Sequence, residues 1–248
     1  MHAYVAEFIG TAILILLGNG VVSNVLLTRT KGNNAGWVVI AAGWGVAVFV
    51  GAFCSDKFSG AHLNPAVSVA MLIAEKLSLA DTVGFILAQM TGAMLGSALA
   101  YLFYREHFAI TEDADAKLGC FCNAPAIRNF GQSFMCEVIA TYVLILPIFL
   151  MVTPSLALPG ATGEPTNIGL GTLGLIPVGL LVFGIGLSLG GTTGYAINPA
   201  RDLGPRIVHA LLPIPGKRDS DWSYASIPVL GPLAGGALAA FTFKILIS

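Results

Sequence analysis

Charge is what this sequence has least of: only 10% of its 248 residues are Asp, Glu, Lys or Arg, where a soluble domain carries about 25%. So small a share cannot coat a water-facing surface, and with 56% hydrophobic residues a polytopic membrane protein is expected. Nor is there an excess of either sign. The net charge is −1 and no basic cluster is longer than Lys217-Arg218, so no nucleic-acid partner is expected. Cysteine is sparse at four; Cys54 and Cys136 sit in apolar runs, Cys120 and Cys122 in a polar stretch, and all read as unpaired thiols. The Cys120-x-Cys122 pair, with His107 nearby, lacks the second ligand pair a zinc finger needs. His2, His62, His107 and His209 are scattered without ligand spacing, and no nucleophile stands with a base, so no metal, cofactor or catalytic activity is expected. The first apolar run lacks a charged n-region before it and a small-residue cleavage site after it, and reads as a retained span.

What is present is apolar length and glycine. A spanning helix needs about 20 mostly apolar residues, and six stretches supply them, roughly 4–27, 36–54, 82–104, 130–153, 171–190 and 223–247. Many of the 30 glycines fall inside these runs, where small residues let helices pack closely in lipid. The polar stretches 105–129 and 213–221 read as aqueous loops. Two further apolar stretches, 64–74 and 198–212, are too short to cross, and each opens with the same triplet, Asn64-Pro65-Ala66 and Asn198-Pro199-Ala200. Asn is a strong N-cap, and Pro suits the first helical position because its missing N–H has no partner there anyway. Each triplet therefore starts a half-span.

The chain also repeats itself. Ala6-Glu7-Phe8-Ile9-Gly10-Thr11 resembles Cys136-Glu137-Val138-Ile139-Ala140-Thr141, and Thr91-Gly92-Ala93-Met94 echoes Ala234-Gly235-Gly236-Ala237. Three spans and a half-span occur twice, and an odd number of spans per half makes the second copy enter from the opposite side. The expected fold is an all-α membrane protein, six transmembrane helices plus two re-entrant half-helices in an inverted 3+3 repeat. It forms a single domain over 1–248, with repeat one about 1–104, repeat two about 130–248, and the polar loop 105–129 between them.

Ser59-Gly60-Ala61-His62-Leu63-Asn64-Pro65-Ala66-Val67 and Gly194-Tyr195-Ala196-Ile197-Asn198-Pro199-Ala200-Arg201-Asp202 resemble the two signature loops of the aquaporin family, and the likeness runs over the whole chain. Asp202, directly after Arg201, is similar to the glycerol-conducting branch. The resemblance implies a homotetramer in the cell membrane, with one pore per subunit, cytoplasmic termini and no catalytic chemistry, passing glycerol, water and similar small neutral solutes. It also implies a selectivity ring of Trp44, Gly186, Tyr195 and Arg201. Trp44 and Tyr195 make an apolar corner opposite Arg201, and the absent side chain of Gly186 leaves room. Tyr195 departs from the phenylalanine of bacterial glycerol facilitators, which makes that corner more polar. The positive-inside rule points the other way on orientation, because Arg29, Lys31, Arg105, Lys117, Arg128, Lys217 and Arg218 would lie outside.

Residue chemistry suggests how such a pore works. Non-helical backbone at membrane depth survives only where it lines water or is buried in protein, so Gly60-Ala61-His62 and Thr193-Gly194-Tyr195-Ala196 are expected to present carbonyls to the pore. Two facing helix N-termini, each about half a positive charge, oppose cations and hydronium at the midplane. Asn64 and Asn198 cap their helices through oxygen and leave amide N–H groups free to donate. Arg201 must face polar space, with a structural ion pair to Asp202 as the alternative. Glu7 and Glu137 read as acceptors holding the backbone N–H groups of the pore loops, the alternative being a proton relay, and His62 reads as a loop-fixing hydrogen bonder. A water channel that also leaks urea or undissociated lactic acid, and a secondary transporter, which shares inverted repeats and broken helices, remain the other readings.

Overall fold

A bilayer offers the backbone no hydrogen-bond partners, so each apolar run satisfies its own N–H and C=O groups as a helix. The computed structural model describes residues 2–152, 154–156 and 166–247. Residue 153, the last of the expected fourth span, and residues 1, 157–165 and 248 of the expected single domain lie outside the described residues. Along the chain run α1 (His2–Leu26), α2 (Trp37–Ser59), α3 (Pro65–Ile73), α4 (Leu79–Ile110), α5 (Ala114–Gly119), α6 (Phe130–Leu150), α7 (Ile176–Leu189), α8 (Pro199–Leu211) and α9 (Ile227–Ile247). A 3-10 turn, Gly171–Leu175, leads into α7. Among the described residues six helices are long and apolar enough to cross a membrane, and α3 and α8 are the two half-helices. A two-residue antiparallel ribbon pairs Ser155 with Asn167 and Leu156 with Thr166.

The halves correspond helix by helix and lock into each other. α1 packs on α2 and α4, α6 packs on α7 and α9, and α2 meets α7 across the pseudo-symmetry axis. The half-helices cross over: α3 packs on α9 of the other repeat, and α8 on α4. Glycine allows these approaches. A Cβ on Gly92 or Gly96 would stand 2.3 Å from the carbonyl oxygen of Phe8 or Ala12, and one on Gly235 would stand 2.3 Å from that of Val138. Gly45 of α2 and Gly179 of α7 meet reciprocally, each Cβ falling 2.7 or 2.9 Å from the other's carbonyl oxygen. Phe53, Leu102, Phe103, Leu180 and Phe241 face outward, while Glu7, Gln89, Glu137, Asp202 and Arg206 are buried. Apolar side chains thus fill the core and also cover the outer surface, unlike the surface of a soluble protein, and a minority of buried polar groups sits among them.

Several helix ends differ from the sequence expectation, α2 running on to Ser59 and α4 furthest of all. α4 continues through Arg105, Glu106 and His107 to Ile110, because hydropathy marks where lipid ends and a helix does not need lipid to continue. The stretch 105–129 is also not a free aqueous loop. It carries α5 and buries Lys117, Leu118, Cys120, Phe121, Cys122 and Asn123, with Lys117 Nζ donating to the carbonyl of Pro215. Stretch 213–221 likewise buries Ile214, Ser220 and Asp221. Both fold inward because the buried end of α8 needs polar partners. The four cysteines are free, and burial pushes the Cys120 thiol up to about 12, which leaves it inert at neutral pH.

Gly96→Leu is expected to lower the thermal midpoint of the detergent-solubilised protein by several degrees. The nearest obstacle to its Cβ is backbone, and overpacking costs about 1–3 kcal/mol. Gly184→Ala, whose Cβ meets nothing within 4 Å, should leave the midpoint unchanged.

Candidate functional site

The segments before α3 and α8 have the same unusual backbone. Gly60, Ala61 and Leu63 lie at φ 76°, 51° and 50°, and Gly194, Tyr195 and Ile197 at 78°, 43° and 46°. Left-handed conformations at non-glycine residues cost about 1–3 kcal/mol each, so the surroundings must hold them. Two buried carboxylates do so. Glu7 Oε1 accepts from His62 N at 2.9 Å and Ser59 Oγ at 2.6 Å, and its Oε2 accepts from Leu63 N and Gln89 Nε2, both at 2.7 Å. Glu137 Oε1 accepts from Ala196 N at 3.0 Å and Thr193 Oγ1 at 2.7 Å, and its Oε2 from Ile197 N at 2.9 Å. Each hydroxyl also accepts from the residue two ahead, Ser59 from Ala61 N and Thr193 from Tyr195 N. His62 Nδ1 lies 3.1 Å from Ser68 Oγ, and Gln89 donates to that same hydroxyl at 3.0 Å.

The loops end at the paired asparagines, in the midplane of the bundle. Asn64 Oδ1 caps α3 by accepting from Ala66 N at 2.8 Å. Asn198 Oδ1 caps α8 by accepting from Ala200 N at 3.0 Å and Arg201 N at 3.2 Å, and Pro65 and Pro199 occupy the first helical positions. The amides also reach across the repeat boundary. Asn64 Nδ2 donates to Ile197 O and Asn198 Nδ2 to Leu63 O, each at 2.8 Å. An amide has two N–H groups, so each asparagine keeps one free, not both.

A cavity of about 130 Å³ runs along these loops. Gly60 to Asn64, Tyr195 to Asn198 and Arg201 form its polar wall; Leu14, Val48, Val67, Leu144, Ile148 and Val182 are among the apolar side chains opposite. Such a passage suits a small molecule with a carbon edge and a hydroxyl edge.

The ring at its outer end differs in detail from the expected one. Arg201 is 8% exposed, and its Cζ stands 4.2 Å from the centroid of Trp44, so indole and guanidinium stack instead of facing each other across an opening. A desolvated cation–π contact is worth about 2 kcal/mol. Gly18 of α1 makes room for the indole: a Cβ there would fall 2.2 Å from it. Among the described residues the Arg201 side chain makes no hydrogen bond, which leaves its donors to the passage. The alternative pairing with Asp202 is excluded because that carboxylate is taken by Arg206, at 2.8 Å to Oδ1 and 3.1 Å to Oδ2. Gly186 is not among the cavity-lining residues. The space its missing side chain vacates holds the Tyr195 ring, whose Oη would lie 2.8 Å from a Cβ. Thr193 and Gly194 also stand off the cavity, and the Thr193 carbonyl accepts from Asn123 Nδ2 at 2.9 Å. It serves as an anchor for the outer loop and does not line the pore.

That outer loop is part of the site. Asn123 N donates to Asp202 Oδ2 at 2.7 Å, and Arg206, fully buried, donates to Asn123 O at 2.9 Å and Ser220 O at 2.7 Å. Arg128 holds Asp221 through two bonds of 2.9 and 2.6 Å. Gly18, Ser59, Gln89, Asn123 and Arg206 were not singled out as site residues from sequence. Asp202 and Arg206, opposite charges four apart in the half-span that also carries Arg201 and His209, are the one available signal; nothing in the sequence points to Gly18 or Asn123. Among the described residues no three His, Cys, Asp or Glu side chains gather as a metal-binding group.

Residues 1–243 match the model of the major intrinsic protein family. The chain is 47% identical over 244 residues to the probable glycerol uptake facilitator protein of Thermotoga maritima, covering 98% of this chain and 99% of that one. It is 50% identical over 245 residues to the glycerol uptake facilitator protein of Streptococcus pneumoniae, covering 99% of each. Its fold is similar to the X-ray structure of the aquaglyceroporin from Plasmodium falciparum, with a TM-score of 0.81 and 29% identity over 99% of this chain and 96% of that one.

Glu137→Leu orphans three buried donors at about 1–3 kcal/mol each. It is expected to lower the unfolding midpoint sharply and to abolish water and glycerol flux in vesicles, whereas Glu137→Gln, which keeps one acceptor oxygen, retains part of both. The outer clamp is acid-labile. The Arg128 hydrogen bonds hold the Asp221 carboxyl below the usual carboxylate range, so its contribution is present above the unfolded value of about 3.9 and disappears as pH falls through the folded value. Protection factors in 212–226, exchange relative to the intrinsic rate at each pH, should therefore fall on acidification in the parent, and should already be lowered at neutral pH in Asp221→Asn.

Proposed function

Because the chain belongs to the major intrinsic protein family, we propose that its two re-entrant loops form the path by which glycerol and other small neutral solutes cross the membrane with water. It is a passive glycerol channel and not an enzyme, and the amphipathic cavity is the observation that carries the mechanism. The carbon edge of glycerol slides on Val48, Leu144 and Val182, while its hydroxyls exchange water for the carbonyls of the polar wall, the Arg201 donors and the free N–H of Asn64 and Asn198. Replacing each hydration bond as it is lost keeps the barrier low, since an unpaired buried polar group costs about 1–3 kcal/mol.

Exclusion of ions and protons belongs to the same proposal. The N-termini of α3 and α8 point their positive ends at each other across the asparagines, and Arg201 adds a full charge at the outer narrowing. Cations and hydronium meet both, while a neutral solute meets only donors. The domain is a single inverted repeat, its oligomer a homotetramer with one pore per subunit, and its location the plasma membrane with cytoplasmic termini. The homotetramer is supported by the exposed apolar groove between α2 and α7, walled by Val46, Phe49, Leu180 and Phe183.

Stopped-flow light scattering on reconstituted vesicles, comparing water, glycerol, urea and undissociated lactic acid, tests the reading. Glycerol flux should rise linearly with gradient and ignore a proton gradient; saturation with proton coupling would indicate a secondary transporter, and conduction of water alone would refute the glycerol path. Arg201→Val should raise proton leak, read with an entrapped pH dye, by roughly tenfold, the loss of about 1.4 kcal/mol of barrier.

A further inference from the structure

The Tyr195 ring occupies a slot with no side chain of its own on the α7 side. Gly186 and Gly190 stand one helical turn apart, and the phenol lies along them with its hydroxyl end against the first and its Cδ1 edge against the second. A Cβ on Gly186 would fall 2.8 Å from Tyr195 Oη and 2.9 Å from Cζ; a Cβ on Gly190 would fall 2.5 Å from Cδ1. The far wall belongs to α2. Ala41 Cβ lies 3.0 Å from the first position and Trp37 Cζ2 lies 2.7 Å from the second, and the Trp37 ring meets Tyr195 edge-on with centroids 5.9 Å apart. Trp37 Nε1 donates to Gly186 O at 2.8 Å, which ties this wall to the slot's floor.

Shape alone holds the ring there. Among the described residues Tyr195 Oη has no hydrogen-bond partner, so no polar bond fixes it. The backbone cannot retreat either, since Glu137 holds Ala196 N and Ile197 N and Tyr195 N donates to Thr193 Oγ1. The remaining freedom is rotation of the side chain, and the open direction is the cavity that Tyr195 lines beside Arg201 and Trp44.

We propose that Gly190 is a specificity-determining residue of this channel, a positioning residue that lets Tyr195 stand back from the passage and so sets its width for glycerol. The inference builds on the reading of Tyr195 as a face of the ring. Gly190 has ordinary right-handed backbone, φ −79° and ψ −20°, so its dihedrals admit alanine. The methyl would press on Tyr195 Cδ1 at 2.5 Å, on Gly186 O at 2.6 Å and on Trp37 Cζ2 at 2.7 Å, and of these the Tyr195 ring is the one with open space to move into. A methyl displaces the phenol toward Arg201 and narrows the opening for a triol more than for water.

The experiment measures glycerol and water permeability of vesicles holding the full chain with Gly190→Ala, Tyr195→Ala, the pair together, and Gly190→Ala with Trp37→Ala. Gly190→Ala is expected to reduce the glycerol-to-water permeability ratio by about tenfold. In the Tyr195→Ala background the same change is expected to have no effect, the pair matching Tyr195→Ala alone, whereas in the Trp37→Ala background the reduction persists. An unchanged ratio in Gly190→Ala, or loss of the effect with Trp37→Ala instead of Tyr195→Ala, overturns the inference. Should Gly190→Ala fail to accumulate in the membrane, the pair with Tyr195→Ala must accumulate, and failure of both overturns it equally. If Tyr195→Ala alone leaves selectivity unmoved, the reading of the ring itself fails, an outcome distinct from failure of the slot.

Discussion

Backbone that leaves helical geometry inside a bilayer must have its N–H groups satisfied by the protein, and this constraint organises the molecule. Two loops run to the midplane in left-handed conformations that non-glycine residues resist, and each is held by one buried carboxylate. Glu7 gathers His62 N, Leu63 N, Ser59 Oγ and Gln89 Nε2; Glu137 gathers Ala196 N, Ile197 N and Thr193 Oγ1. With those N–H groups turned inward toward the carboxylates, the other side of each loop is left for the passage. The polar wall of the pore follows from where the two acids stand.

Two further layers brace the loops. At the midplane Asn64 and Asn198 each cap one half-helix and donate to the opposite loop, so neither repeat can shift without the other. Outside, Arg206 and Asp202 tie α8 to the inward-folded loop, and Asn123 passes that tie on to Thr193. The charges buried here are paired and hydrogen-bonded, as low-dielectric burial requires. Arg201 differs: it has an aromatic face beneath it and unspent donors toward the cavity. The paired charge and the cavity-facing charge are therefore separate residues, although they lie on one half-helix.

The parts legible in the sequence are those written in short-range chemistry. Asn-Pro-Ala caps a helix wherever it falls, apolar length sets the spans, and the duplicated Glu7 and Glu137 motifs reveal the inverted halves. What hydropathy could not mark was the end of α4, because the helix runs on into water, or the burial of 105–129, because a polar stretch reads as a loop whether it is solvated or folded over a buried arginine. Trp44, Tyr195 and Arg201, expected from the family resemblance, do lie together at the cavity, whereas Gly186 does not line it, and their arrangement was not legible. Trp44 stacks on Arg201 because Gly18 on another helix opens the space, a contact between residues far apart in the chain; Tyr195 fills what Gly186 vacates because the loop between them folds back on α7, which hydropathy does not mark. Thr193 has its carbonyl claimed by Asn123, which no local pattern announces.

On the proposed path glycerol travels along the amphipathic cavity, with its hydroxyls on the loops and its carbons on the apolar wall. The most direct test is an experimentally determined structure of the protein equilibrated with glycerol. Glycerol density is expected inside the cavity, with hydroxyls within hydrogen-bond reach of Arg201 or the loop carbonyls and the carbon chain against Val48, Leu144 or Val182. Glycerol found only outside the cavity, for example in the groove between α2 and α7, with the loops sealed against each other, would contradict it.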